Sequence, residues 1–185
     1  MRTCLIVTLT LLTLAYPAIV YLGIQNTSPA VFASVLLIIT LLRLFFSRGR
    51  ADYRQTVILI VMAVYSFVTA LINSEWALRM YPVIISFCMA AVFAITLFEQ
   101  ESLIEQLSKI AGKTITTNAK RYTRKLTGVW AVVLAANGVI SLFFATYASL
   151  KTWAFYCGFL SYLIFAFLFF IELIYRQYYI KKYGA

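Results

Sequence analysis

The stretch SRGRADYRQTVILIVMAVYSFVTALINSEWALR, residues 47–79, sets an uncharged run from Thr56 to Ile72 between a basic segment and a short polar one. Only a helix satisfies its own backbone hydrogen bonds inside hydrocarbon, and a crossing takes roughly 20 predominantly apolar residues, so the run reads as a membrane span. The same pattern recurs outward from it, at about Leu5 to Ile24, Pro29 to Phe46, Met80 to Phe98, Thr127 to Ala148 and Trp153 to Tyr175. Together these runs predict an all-α polytopic membrane protein with six transmembrane helices in a single domain over residues 1–185. Composition points the same way: 63% hydrophobic residues, 12% charged and a mean hydropathy of +0.90 do not describe the surface of a soluble domain.

Three connections between the runs are short (IQNTSP, NSEWALR and SLKTW), one is basic (SRGRADYRQ), and one is a long polar segment from Glu99 to Leu126. Lys and Arg near helix ends are retained on the cytoplasmic side. If the six spans alternate, Arg2, Arg43, Arg48, Arg50, Arg54, Lys109, Lys113, Lys120, Arg121, Arg124, Lys125, Arg176, Lys181 and Lys182 fall on one side and only Arg79 and Lys151 on the other. Both termini are therefore expected in the cytoplasm. Arg2 and the small residues of TLAYPA have features of a secretory signal peptide, but the run continues through AIVYLGI without a polar cleavage region, which suits an anchor.

Several chemistries lack their residues. The chain has no His and its single Asp, Asp52, sits on the basic connection, so a histidine triad, a zinc hydrolase and a multi-aspartate metal site are unsupported. Cys4, Cys88 and Cys157 lie in or at the ends of apolar runs with no pair spacing of a metal or disulfide framework, and read as small packing residues. No catalytic residue, metal or cofactor is expected. The net charge of +10 follows from topology and does not call for nucleic acid.

Polar residues that a bilayer resists burying are the functional candidates. Glu172 stands near the cytoplasmic end of the last run with Arg176 four residues later, either as an interfacial ion pair or as a carboxylate holding Arg43 or Arg124. Asn137, near the middle of the fifth run and followed by Gly138, suits a hydrogen bond to a neighbouring helix. Trp130, Asn137 and Ser141 share a face that should point inward. On the outer side Arg79, Tyr81, Trp153 and Tyr156, with Trp76, are expected as an interfacial belt, and Glu75 can pair with Arg79. In the polar segment, SLIEQLSKIAG predicts an amphipathic cytoplasmic helix of about three turns with Leu103, Ile104, Leu107 and Ile110 on one face. It leads to KRYTRK, where Arg121, Arg124 and Lys125, with Tyr122, would stand together on a helix beginning near Asn118. Such a patch attracts anionic headgroups by about 1 kcal/mol per basic residue, and guanidinium pairs can hold a phosphate in two-pronged fashion.

From Arg79 to Arg176 the sequence resembles a family of small bacterial inner-membrane proteins encoded with aryl-polyene or fatty-acid-type biosynthetic genes, through RMYPV, LIEQL, RYTRKLTGVW, ANG at 136–138, WAFYCG and FIELIYR. It departs from that pattern at Ser86 and Cys157, where Asn is common. Members sometimes carry the label ketosynthase, a chemistry that needs a thiolate with histidine partners and is unsupported here. More distantly, the length, the multi-span plan and the late Trp-then-aromatic opening of the last run are similar to the intracellular septation protein A family, which implies a scaffold of envelope synthesis and division.

The first expectation is thus an inner-membrane accessory of lipid or aryl-polyene-type biosynthesis that binds an anionic lipid or a carrier-bound acyl intermediate at its cytoplasmic face. Its partners would be membrane lipids and biosynthetic enzymes or an acyl carrier. The second is an envelope-maintenance or division scaffold. A small transporter is third, although no acidic residue sits at the bilayer centre to couple an ion.

Overall fold

The computed structural model describes residues 2–24, 26–47, 53–112 and 115–183, with side chains described from residue 8 to residue 181 except residue 14. Arg48, Arg50, Asp52 and Lys113, and the side chains of Arg2, Cys4 and Lys182, lie outside the described residues. The described chain is helical without a strand: α1 (Arg2–Gly23), α2 (Pro29–Ser47), α3 (Tyr53–Ile72), α4 (Glu75–Arg79), α5 (Tyr81–Thr96), α6 (Leu103–Ile110), α7 (Thr117–Tyr147), α8 (Leu150–Phe155), a π turn (Tyr156–Leu160) and α9 (Ser161–Tyr183).

Among the described residues, five stretches are long and apolar enough to cross a membrane: Pro29–Ser47, Tyr53–Ile72, Glu75–Thr96, Thr117–Tyr147 and Leu150–Lys181. The expected first span falls on α1. Large apolar side chains such as Leu22, Phe45, Val64, Leu71 and Phe167 face outward, which lipid as solvent permits and water does not.

Two stretches expected as connections are short helices. Ser74 caps α4 by accepting from the Ala77 N–H, and Ser149 caps α8 by accepting from the Thr152 N–H at 3.2 Å. A serine hydroxyl in extended backbone satisfies one of the first orphaned amides of a helix. The fifth span also begins earlier than its apolar run, because Thr116 accepts from the Ala119 N–H at 3.2 Å and starts α7 at Thr117.

Contacts divide the chain into two compact units. The first comprises residues 1–85 and 138–161. In it α2 and α3 form the most extensive pair, and Asn73, at φ 52° in the turn after α3, donates no backbone strain to waste: its side-chain oxygen accepts from the Ala30 N–H at 2.9 Å and caps α2. The core gathers Tyr16, Val20, Leu36, Met62, Leu78, Tyr81, Trp153, Tyr156 and Cys157. Three aromatic donors point at the last carbonyls of α4. The Tyr65 hydroxyl donates to Ala77 O at 2.6 Å, the Tyr16 hydroxyl to Leu78 O, and Trp153 Nε1 to Arg79 O at 3.2 Å.

The aromatics expected as an outer belt differ in burial. Trp153 is 0% exposed and Tyr81 and Tyr156 are buried with it, while Trp76 alone of the four aromatics is exposed. The Trp153 ring covers apolar neighbours and satisfies a buried carbonyl at once, while Tyr81 packs against the Tyr16 ring and Tyr156 against the Phe144 ring. Arg79 pairs with Glu75 as expected and donates Nη1 to Ala148 O at 2.9 Å. Arg43, on α2, is half-buried with Nε lacking a partner.

The second unit comprises residues 86–137 and 162–185. Asn137 donates to Ser86 Oγ at 3.0 Å, joining α7 to α5 as a central amide was expected to do. Ser86 is the residue noted above as a departure from Asn. Trp130 lies against Phe165 of α9, with ring centroids 6.2 Å apart. On the face expected to point inward, Ser141 is buried and Trp130 and Asn137 are half-buried.

Candidate functional site

The chemistry-bearing residues of the second unit sit on helices longer than a bilayer is thick. The 31 residues of α7 run about 46 Å at 1.5 Å per residue, against about 30 Å of hydrocarbon. The 32-residue stretch Leu150–Lys181 is about 48 Å long by the same rise. Counted from Tyr147 and from Leu150, some 20 residues exhaust the hydrocarbon, which leaves the first third of α7 and about the last half of α9 at the interface and beyond it.

The segment before α7 is fastened there by hydroxyls and one guanidinium. Thr96 Oγ1 accepts from the Leu103 N–H at 3.1 Å and Thr127 Oγ1 from the Ile104 N–H at 3.4 Å, so the first two amides of α6 are satisfied from α5 and α7. Arg124 Nη2 donates to Glu99 O and, at 3.1 Å, to Gln100 O. Arg124 thus clasps the backbone between α5 and α6. The two turns of α6 end at Ala111, and Gly112, at φ 76°, supplies the left-handed residue that closes the helix.

The faces of α6 are used in an order opposite to that of a soluble protein. Glu105 is 1% exposed, whereas Leu107 is 54% and Ile110 83% exposed. Glu105 Oε1 lies 3.7 Å from Lys109 Nζ and 4.0 Å from Lys120 Nζ. Lys109 also reaches Glu101 Oε1 at 2.5 Å, a hydrogen bond that holds its ammonium above the ordinary lysine range. An interfacial helix turns its apolar face to lipid, and the charged network then belongs on the protein side.

A cleft of about 760 Å³ opens among α5, α6, α7 and α9, lined by Phe93, Ile104, Leu126, Trp130 and Phe169 on its apolar part and by Ser108, Tyr122, Thr123, Glu172, Arg176 and Tyr179 on its polar part. The Tyr122 hydroxyl donates to Glu172 Oε1 at 3.0 Å. Its ring packs on Tyr179 at 4.8 Å and on Tyr175 at 6.2 Å between centroids. Among the described residues Glu172 and Arg176 form no ion pair, and Arg176 makes no hydrogen bond. The tyrosine takes the carboxylate and leaves the guanidinium with its donors in the cleft.

The residues of the basic block have different surroundings. Arg124 is engaged with backbone, Arg121 and Lys125 are exposed and do not line the cleft, and Tyr122 reaches Glu172 from the other side of the helix. Glu172 engages a tyrosine and not Arg124. Sequence reading missed Tyr179, Phe93 and Phe169. Glu172, Arg176 and Tyr179 follow each other at four and three residues on one helix face, a spacing that carries the signal.

The arrangement has the elements of an amphiphile site, an apolar wall continuing into a charged rim, in a volume within the roughly 300–1,000 Å³ of ligand pockets. Neither a curated protein nor a solved structure matches the chain. A family model described as intracellular septation protein A matches residues 4–184, the family given above as the more distant likeness, and the group associated with aryl-polyene clusters gains no support from that match. The chain, an integral membrane protein by its apolar helices, belongs to the intracellular septation protein A family.

Proposed function

We propose that the chain is a multi-pass inner-membrane component of envelope maintenance and septation, and that it works by holding an amphiphilic molecule in the cleft of its second unit. In this reading α1 is a sixth span, both termini and the cleft lie on the cytoplasmic side, and the fourteen-to-two division of basic residues supplies the orientation. The observation that carries the reading is the cleft itself, with Trp130 and Phe169 toward the membrane-spanning part of their helices and Glu172, Arg176 and Tyr179 toward the protruding part. Family membership supports the link to septation. A role in lipid or aryl-polyene-type biosynthesis draws on the same cleft and on no observation of its own.

A deletion strain complemented with wild type or with Ala119→Trp tests this, since Ala119 lines the cleft and a tryptophan there would fill it. Wild type should restore septum spacing and envelope integrity while Ala119→Trp, inserted at the same level, should not. Full restoration by Ala119→Trp would remove the cleft from the function. A lipid or polyene species missing from the deletion strain would move the reading to biosynthesis.

A further inference from the structure

The charges that line the cleft are one carboxylate and one guanidinium, Glu172 and Arg176. They lie four residues apart on α9, about one helical turn, and are not spent on each other. Lysines and the remaining arginines of the basic block stay off the cleft wall. A ligand with a single negative charge would meet Arg176 but carry its charge past Glu172, and a purely cationic one would face the reverse conflict. A neutral headgroup would leave both groups without a counter-charge in a site walled by Phe93, Leu126, Trp130 and Phe169. A zwitterion with its two charges about one turn apart satisfies both.

Resting on the reading of the cleft as an amphiphile site, we infer that it selects a phosphorylethanolamine lipid, with the phosphate on Arg176 and the ammonium on Glu172. An ethanolamine headgroup separates phosphate from ammonium by two carbons, a span comparable to one helical turn. Arg176 has free donors for two phosphate oxygens, the geometry that favours guanidinium over a point charge. Glu172 gives Oε1 to the Tyr122 hydroxyl and keeps Oε2 for an ammonium N–H. The rings of Tyr122 and Tyr179 beside it add a surface that attracts a cation. The cleft accommodates headgroup, glycerol and the upper part of one chain along Trp130 and Phe169, and the rest of the lipid remains in the bilayer.

Native mass spectrometry of the detergent-purified, delipidated protein separates the possibilities, using phosphatidylethanolamine, phosphatidylglycerol and diacylglycerol with identical chains. Wild type should bind phosphatidylethanolamine about tenfold more tightly than either of the others, the scale of one charge-assisted hydrogen bond. Glu172→Gln keeps an oxygen for Tyr122 and should abolish the preference over phosphatidylglycerol. Arg176→Gln should bring both phospholipids down to the level of diacylglycerol. Equal binding of all three lipids by wild type, or a preference for phosphatidylglycerol that Glu172→Gln leaves unchanged, overturns the headgroup assignment and leaves the amphiphile reading standing. Binding of every lipid that Ala119→Trp does not weaken overturns the amphiphile reading itself.

Discussion

Replacing Arg124 and replacing Arg121, three positions earlier on the same helix, should have different consequences although both belong to one basic block. Arg124 Nη2 serves two backbone carbonyls, Glu99 O and Gln100 O, at the end of α5. A hydrogen bond from a charged group contributes about 1.5–3 kcal/mol, and because one nitrogen serves both acceptors the two bonds do not count twice. Arg124→Gln is therefore expected to destabilise by about 1.5–3 kcal/mol. Arg121 is exposed with no hydrogen bond or ion pair among the described residues, so Arg121→Gln should stay within about 0.5 kcal/mol. Titrating helical content against sodium dodecyl sulfate in mixed micelles gives both values. Amide exchange locates the effect, because loosening the clasp should deprotect the amides of Leu103 and Ile104, which are held by Thr96 and Thr127. Equal destabilisation by the two substitutions, or unchanged exchange in Arg124→Gln, would refute the clasp and return Arg124 to the surface patch.

Trp153→Phe keeps a ring in the core but removes the donor to Arg79 O, and should cost about 1–3 kcal/mol for the carbonyl left unsatisfied, read from the same micelle titration. A Cβ on Gly158 would meet Ala18 N and Pro17 Cβ at 3.4 Å, so Gly158→Ala should fold nearly as wild type while Gly158→Leu should force α1 away and lower stability by about 1–3 kcal/mol. Gly112 has open space around its Cα but φ 76°, so Gly112→Ala should cost about 1 kcal/mol and Gly112→Asn less, by the tolerance of asparagine for left-handed backbone. With the native cysteines changed to alanine, Lys151→Cys should react with an impermeant maleimide from outside intact cells and Lys125→Cys only after permeabilisation; the opposite pattern would reverse the topology.

The spans were legible because the bilayer imposes a length and a composition that no packing detail can override, and runs such as Thr56 to Ile72 carry both. Their ends were less so. Serine caps at Ser74 and Ser149 turned NSEWALR and SLKTW into helices, and a hydroxyl cap is a one-residue signal easily outweighed by the polarity of its neighbours. Aromatic placement was not legible at all from position along the run. Trp153 and Tyr156 stand where an interfacial belt belongs, yet Trp153 is buried with its donor on Arg79 O, 74 residues away in sequence, and Tyr156 is buried with its ring stacked on Phe144. For Glu172 the spacing to Arg176 suggested an ion pair, and the tyrosine that displaces it comes from another helix.

The division of labour in KRYTRK follows from where the bilayer ends. A helix inside hydrocarbon would have to shield every one of these side chains, whereas the first third of α7 extends past that limit and can spend each residue separately. Around the helix, positions facing α5 and α6 meet exposed carbonyls at the end of a span, and Arg124 fills that place. Positions facing α9 meet a carboxylate that must be held without neutralising it, and a tyrosine does this where an arginine would pair with it. Thr123 is buried beside Tyr122 on the cleft wall, Lys120 lies 4.0 Å from Glu105, and Arg121 and Lys125 point outward. Replacing Tyr122 with a basic residue would bring a cation to Glu172 and extinguish the negative half of the cleft, and the two residues of the block that line the cleft, Tyr122 and Thr123, are its uncharged ones.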